Sequence, residues 1–190
     1  LQEGRHDRKP STQADAYYWR GEANYRLEKY AQASKDLRRY LELAKNKRSQ
    51  EYGLALYNLG YADFKQKQYG SALNWFSRFV NEGTKDNKQV LADAYNRMGD
   101  CNFYARKFDD ARRSYDKAEQ VDPSLADYSL YQEGFVKGLQ RDYNGKIQSL
   151  NQLQRINDRI AEGHRKCNNG QLITQFFFSV YIGTALGIGD

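Results

Sequence analysis

Histidine is almost missing from this chain: His6 and His164 are the two present, one in each terminal segment. A histidine-based dyad, triad or zinc site therefore has almost nothing to use. Cysteine is as scarce, at Cys101 and Cys167. Their spacing suggests no disulfide framework, although a bridge between them stays open. His164 and Cys167 sit at a metal-like spacing, but no second pair completes a site. Gly183–Gly187 is not followed by Lys-Ser or Lys-Thr, so it is no phosphate loop. Asp109 and Asp110 fall at a helix start, where carboxylates suit the positive end of the dipole without any acid–base role. These absences argue against an enzyme, and no cofactor or metal is expected. Proline is limited to Pro10 and Pro123, so little breaks a helix between them. The chain opens at Leu1 without a visible export signal, which reads as a fragment or a processed form and leaves the compartment open.

Aromatics, by contrast, are abundant, with 16 Tyr and 9 Phe. A hydrophobic fraction of 39% with so little proline suits an elongated helical array. The formal net charge of +6 permits anionic partners, but acids and bases are interspersed, as on a solvated surface.

The chain is organised around Leu54–Val80. Leu56, Leu59, Gly60 and Ala62 through Phe64 keep one helical period, and Tyr69, Ala72, Leu73, Phe76, Phe79 and Val80 keep a second. Lys65–Gln68 is too short for anything but an antiparallel hairpin, with Gly60 and Ala72 as the small residues on the facing sides. The pattern recurs, marked by Gly21, Gly60, Gly99 and Gly134, about 39, 39 and 35 residues apart. It resembles the tetratricopeptide repeat, over roughly Ala14 to Leu153. The resemblance implies an all-α fold, a right-handed α-solenoid of about four helix-turn-helix repeats. Cys101 then fills a helix contact as a buried thiol.

The expected division is a polar lead-in over 1–13, repeats over 14–50, 51–88, 89–124 and 125–155, and a different segment over 156–190. The extra residues of the first two periods fall in polar loops at Lys45–Gln50 and Glu82–Asn87, where insertion is cheap. Asp122-Pro123 should end the third pair. In the fourth copy Lys146 replaces Ala33, Ala72 and Ala111, with Gly145 as a candidate small residue beside it, and the last helix should run to about Gly163. Leu172–Ile188 is nearly uncharged, close to the 20 or so residues that a membrane span needs. Three readings of it stand: a cap on the last repeat, a membrane anchor (disfavoured by its polar residues), or a shifted reading frame.

The resemblance also implies a concave groove lined by the first helix of each pair. Stepping around those helices gives Tyr18, Tyr25, Tyr57, Tyr61, Phe64, Phe103, Tyr131 and Phe135 as its aromatic lining, with Glu22, Asn96, Asp100 and Gly138 in the same phase. Aromatics there suit a peptide or protein partner. Chaperone-binding members use a Lys, Asn and Arg clamp for a carboxylate; the matching positions here hold Tyr18, Glu22 and Tyr57, so that clamp is not expected. The tyrosine-rich style is similar to bacterial cell-envelope repeat proteins, which points by analogy to the periplasm or envelope. The expected function is a non-catalytic scaffold. The rival is a nucleic-acid binder using Arg38-Arg39, Lys45–Arg48 and Arg112-Arg113, which lie away from the groove.

Overall fold

The computed structural model describes residues 10–83 and 87–167. Among them are eight α-helices and no strand: α1 (Pro10–Arg26), α2 (Tyr30–Leu43), α3 (Gln50–Lys65), α4 (Tyr69–Glu82), α5 (Lys88–Tyr104), α6 (Phe108–Val121), α7 (Ala126–Leu139) and α8 (Tyr143–Cys167). A short 3-10 turn, Pro123–Leu125, separates α6 from α7; α6 ends at Val121, and Asp122, held out of helical geometry by Pro123, follows it. Contacts divide the chain into two units, Leu1–Leu153 and Gln154–Asp190. Of the second, the described part is the end of α8, a helix that continues past Gly163 to Cys167. The apolar stretch Leu172–Ile188 lies outside the described residues, as does the lead-in before Pro10.

Within the first unit the helices pair as α1–α2, α3–α4 and α5–α6, and each second helix packs on the next first helix. One rule places every hairpin: the residue 16 positions after the marker glycine sits on that glycine. A Cβ on Gly21 would lie 2.8 Å from Leu37, and one on Gly60 2.8 Å from Phe76. On Gly99 it would overlap the ring of Tyr115, whereas on Gly134 it would meet Leu150 at an ordinary 3.5 Å. Glycine is needed in the first three because a large side chain already fills the space where its Cβ would be. The alanines 12 positions on, Ala33, Ala72 and Ala111, are completely buried. In the fourth pair a size exchange replaces them. Gly145 does not supply the missing small residue; its N–H caps onto Asp142 Oδ1 at 2.9 Å. Gly138 does, since its Cβ would touch the aliphatic stem of Lys146 at 3.1 Å.

The turns inside the hairpins are all alike. Glu28, Lys67, Arg106 and Arg141, each seven residues past its glycine, take φ of 58–63°. In the second hairpin Lys67 N–H donates to Phe64 O at 2.8 Å and Gln68 N–H to Asp63 O at 2.9 Å, and the other three repeat this pair. This is the Schellman closure of a helix end, built here without glycine. The loops between repeats work by side-chain capping instead. Ser49 Oγ accepts from Tyr52 N–H, and Asn87 Oδ1 from the N–H groups of Gln89 and Val90.

Candidate functional site

The first helices also touch one another, α1 against α3 and α5 against α7, and the expected groove residues fall into three environments. Tyr18 is in the core, 4% exposed and packed on Tyr40. A side chain so enclosed offers no surface to a partner. The apolar period of α1 and the groove phase coincide at that position, and packing takes it.

Tyr25, Tyr57 and Tyr61 are half-buried. Tyr25 packs edge-on against Tyr30. Tyr57 and Tyr61, one turn apart on α3, both donate to Asp93 Oδ2 on α5, Tyr57 at 2.7 Å. Arg97 stands 3.6 Å from Asp93 and 2.6 Å from Asp100. Asp100 Oδ1 accepts from Tyr115 and from Tyr128, each at 2.8 Å, and Arg97 lies over the Tyr128 ring. Burial, then the Asp93 charge, pushes the Tyr57 hydroxyl far above the ordinary phenol range, so it stays a donor. Burial likewise raises the Asp100 carboxyl, while Arg97 and the two phenols pull it back. Arg97 is thus neutralised by acids of its own helix and is not free to take a partner's carboxylate.

Phe64, Phe103, Tyr131 and Phe135 make up the third environment, Phe64 and Phe103 half-buried and Tyr131 and Phe135 exposed. Phe64 packs on Tyr69 and, at 6.3 Å, on Tyr104. Tyr104 stacks on Tyr69 at 4.1 Å and 8° between planes. Phe103 joins Tyr104, Phe108 and Phe135, the last at 5.8 Å. Tyr104, Tyr131 and Phe135 are 54%, 52% and 45% exposed. The structure therefore joins Phe64, Phe103 and Phe135 into one aromatic strip through Tyr104, and Arg97, lying over the Phe64 ring at 5.9 Å, links that strip to the tyrosine–aspartate cluster.

Sequence reasoning passed over Asp93, Arg97, Tyr104 and Tyr128. Asp93, Arg97 and Asp100 recur at helical spacing along α5, and that polar stripe was the available signal. A related aspartate, Asp63 on α3, is completely buried and accepts from Ser34 at 2.8 Å, Arg38 at 2.6 Å, Ser71 at 2.5 Å and Trp75 Nε1 at 3.1 Å. Each junction between successive repeats thus holds at least one bridging carboxylate: Asp63 at the first, Asp93 at the second, Asp100 at the third. Three of the basic residues considered for nucleic acid are paired within the chain: Arg38 with Asp63 and the Trp75 ring, Arg39 with Glu42, Arg113 with Asp110. Among the described residues no group of His, Cys, Asp and Glu side chains could hold a metal, and no helix is long and apolar enough to cross a membrane.

Paired helices stacked with one side chain per glycine define an α-helical repeat solenoid. The tetratricopeptide-repeat profile matches residues 14–47 and again 92–125, and the chain is a tetratricopeptide-repeat protein. Among curated protein sequences none matches it. Similar solved structures include MamA, at 17% identity and a TM-score of 0.68 over 78% of this chain and 81% of that one. YrrB, described as a tetratricopeptide-repeat protein with an unusual peptide-binding site, is 22% identical with a TM-score of 0.65 over 83% and 76%. BtubC from P. vanneervenii is 15% identical with a TM-score of 0.69 over 90% and 72%. At these identities the likeness carries the fold alone.

Proposed function

We propose that this protein is a non-catalytic interaction scaffold that holds a peptide or protein segment along the row of its first helices. The observation that carries the proposal is the exposure of Tyr104, Tyr131 and Phe135, with Phe135 joined to Tyr104 through Phe103 and Tyr131 one turn before it on α7. Tyr57 and Tyr61 already spend their hydroxyls on Asp93, and they form the rigid wall of the groove rather than its anchors. A peptide-binding site on a structural neighbour, YrrB, supports a partner of this kind. Peptide rather than nucleic acid is favoured because Arg38, Arg39 and Arg113 are paired within the chain.

The test is selection from a displayed random peptide library, followed by titration of the selected peptide. Tyr131→Ala and Phe135→Ala should each lower affinity about tenfold, or roughly 1.4 kcal/mol, with an unchanged circular dichroism spectrum. Salt-sensitive binding to single-stranded RNA that survives both changes but not Arg38→Glu would reverse the reading in favour of nucleic acid.

A further inference from the structure

The ends of α3 and α5, with the turns that follow them, carry four cations that no acid answers. Lys65 and Lys67 belong to the second hairpin, Arg106 and Lys107 to the third, and all four are exposed. Among the described residues no carboxylate pairs with any of them, whereas Arg26, Arg38, Arg78 and Arg97 each have one. Asp109 and Asp110, next along α6, are engaged with Gln140 and Arg113. Residues 1–9, 84–86 and 168–190 hold four acids and four bases, so they bring no surplus of negative charge. Helix-end electrostatics do not require these cations either, since α2, α4 and α6 each end without a basic residue in the last turn.

The four cations frame an aromatic pair. Tyr69, two residues past Lys67, stacks on Tyr104, two residues before Arg106, and so ties the second turn to the third. Phe64, next to Lys65, packs on both rings. Tyr104 is exposed and leads through Phe103 to Phe135. The free positive charge thus borders the aromatic strip already described. Along that strip the rings meet at 75° and 53°, so no succession of parallel faces is offered to stacked bases. Phe135 and Tyr131 lie one and two turns inside the end of α7, back from an edge on which a flat lipid surface would rest. A peptide can follow both the strip and the edge.

We infer that the segment held on this strip is acidic: an apolar side chain seats beside Tyr104 and Phe135, and Asp or Glu side chains next to it run out over the two turns onto Lys65, Lys67, Arg106 and Lys107. The inference rests on the peptide-binding reading above and adds to it the charge of the partner and the edge at which the partner leaves the groove. The cations are exposed on flexible stems, so they draw in a run of carboxylates rather than grip a single one. Their effect therefore falls on the rate of association and on its salt dependence.

Peptides selected on the full chain from the displayed random library are the probe. Asp and Glu should be enriched beside an apolar residue, and the affinity of a selected peptide should fall as salt rises. Lys65→Gln combined with Lys107→Gln removes one cation from each hairpin at exposed, unpaired positions, so circular dichroism should be unchanged. The double variant should lower affinity about fivefold, mostly through slower association, and flatten the salt dependence. Selected peptides without acidic enrichment, or a double variant that binds as the parent does, overturn the inference. If Tyr131→Ala and Phe135→Ala still weaken binding in that case, the peptide reading survives it. A library that yields no peptide overturns both. A double variant that keeps its peptide affinity but loses retention on phosphatidylserine-containing vesicles overturns the inference in favour of a lipid surface.

Discussion

A methyl group added at Gly99 would strike the Tyr115 ring, yet at Gly134 it would rest at van der Waals distance from Leu150. The same residue in the same register therefore carries different consequences. Gly99→Ala should be the most destabilising of the four alanine substitutions, by on the order of 1–3 kcal/mol, since the buried ring cannot move aside freely. Gly134→Ala should be neutral or stabilising by up to roughly 1 kcal/mol, because alanine loses less backbone entropy in a helix. Urea denaturation ranks them, and equal midpoints would show that the rings on these glycines do not set the packing. The glycine spacing was legible in the sequence because it repeats. The ring that fills each gap was not, since which of Leu37, Phe76, Tyr115 and Leu150 presses hardest depends on how each hairpin closes. Burial also pushes the Cys101 thiol up to about 12. Cys101 should therefore resist maleimide in native buffer and react once the chain is denatured.

Helix existence was easier to read from the sequence than helix closure. The apolar periods mark the helices α3 and α4 in the sequence, but nothing at Glu28, Lys67, Arg106 or Arg141 advertises a left-handed turn, because glycine is the residue expected there. The three-residue link between paired helices forces the conformation, and the chain accepts the cost at a side chain. Replacing Lys67 with Gly should remove that cost, roughly 1–2 kcal/mol, less the entropy that glycine adds to the unfolded chain. The expected net gain is up to about 1 kcal/mol by thermal or urea unfolding. Lys67→Val should move the other way, since a β-branched side chain tolerates positive φ worst. Two variants of equal stability would mean that the turn relaxes out of the left-handed region.

Across the whole array, buried charge is handled by pairing, and pH should expose two opposed sets of carboxyls. Burial, with Glu133 as the nearest charge, raises Asp116 and Glu119 above the usual carboxyl range. A carboxyl raised on folding holds its proton more tightly in the folded chain, so its contribution is full in acid and fades as pH climbs through the folded value. Hydrogen bonds from Arg20 and Arg78 lower Asp36 and Glu82, whose contribution is present above the usual range and lost on acidification. Asp116→Asn cannot ionise, so it should unfold at a higher temperature than the parent at pH 7, with the gap closing below about pH 4. A gap that is constant with pH would assign the effect to packing. At this scale the groove was the least legible feature. Phase alone placed Tyr18, Tyr61 and Phe135 on one track, but their burial depends on what the neighbouring repeat brings to them, and only Phe135 of the three is exposed.

The carboxylates at the three junctions bear on how the array comes apart. Fraying one repeat from its neighbour would strand Asp63 without Ser34 and Arg38, Tyr57 and Tyr61 without Asp93, or Tyr128 without Asp100. Each break uncovers polar groups whose partners sit on the other side, a penalty that grease between repeats does not impose. In nearest-neighbour language, the coupling between repeats is then large relative to the intrinsic stability of each. Partly unzipped states should then be sparsely populated, and in a native-state hydrogen-exchange experiment amide protons on α2 through α7 should exchange through one shared global opening rather than repeat by repeat.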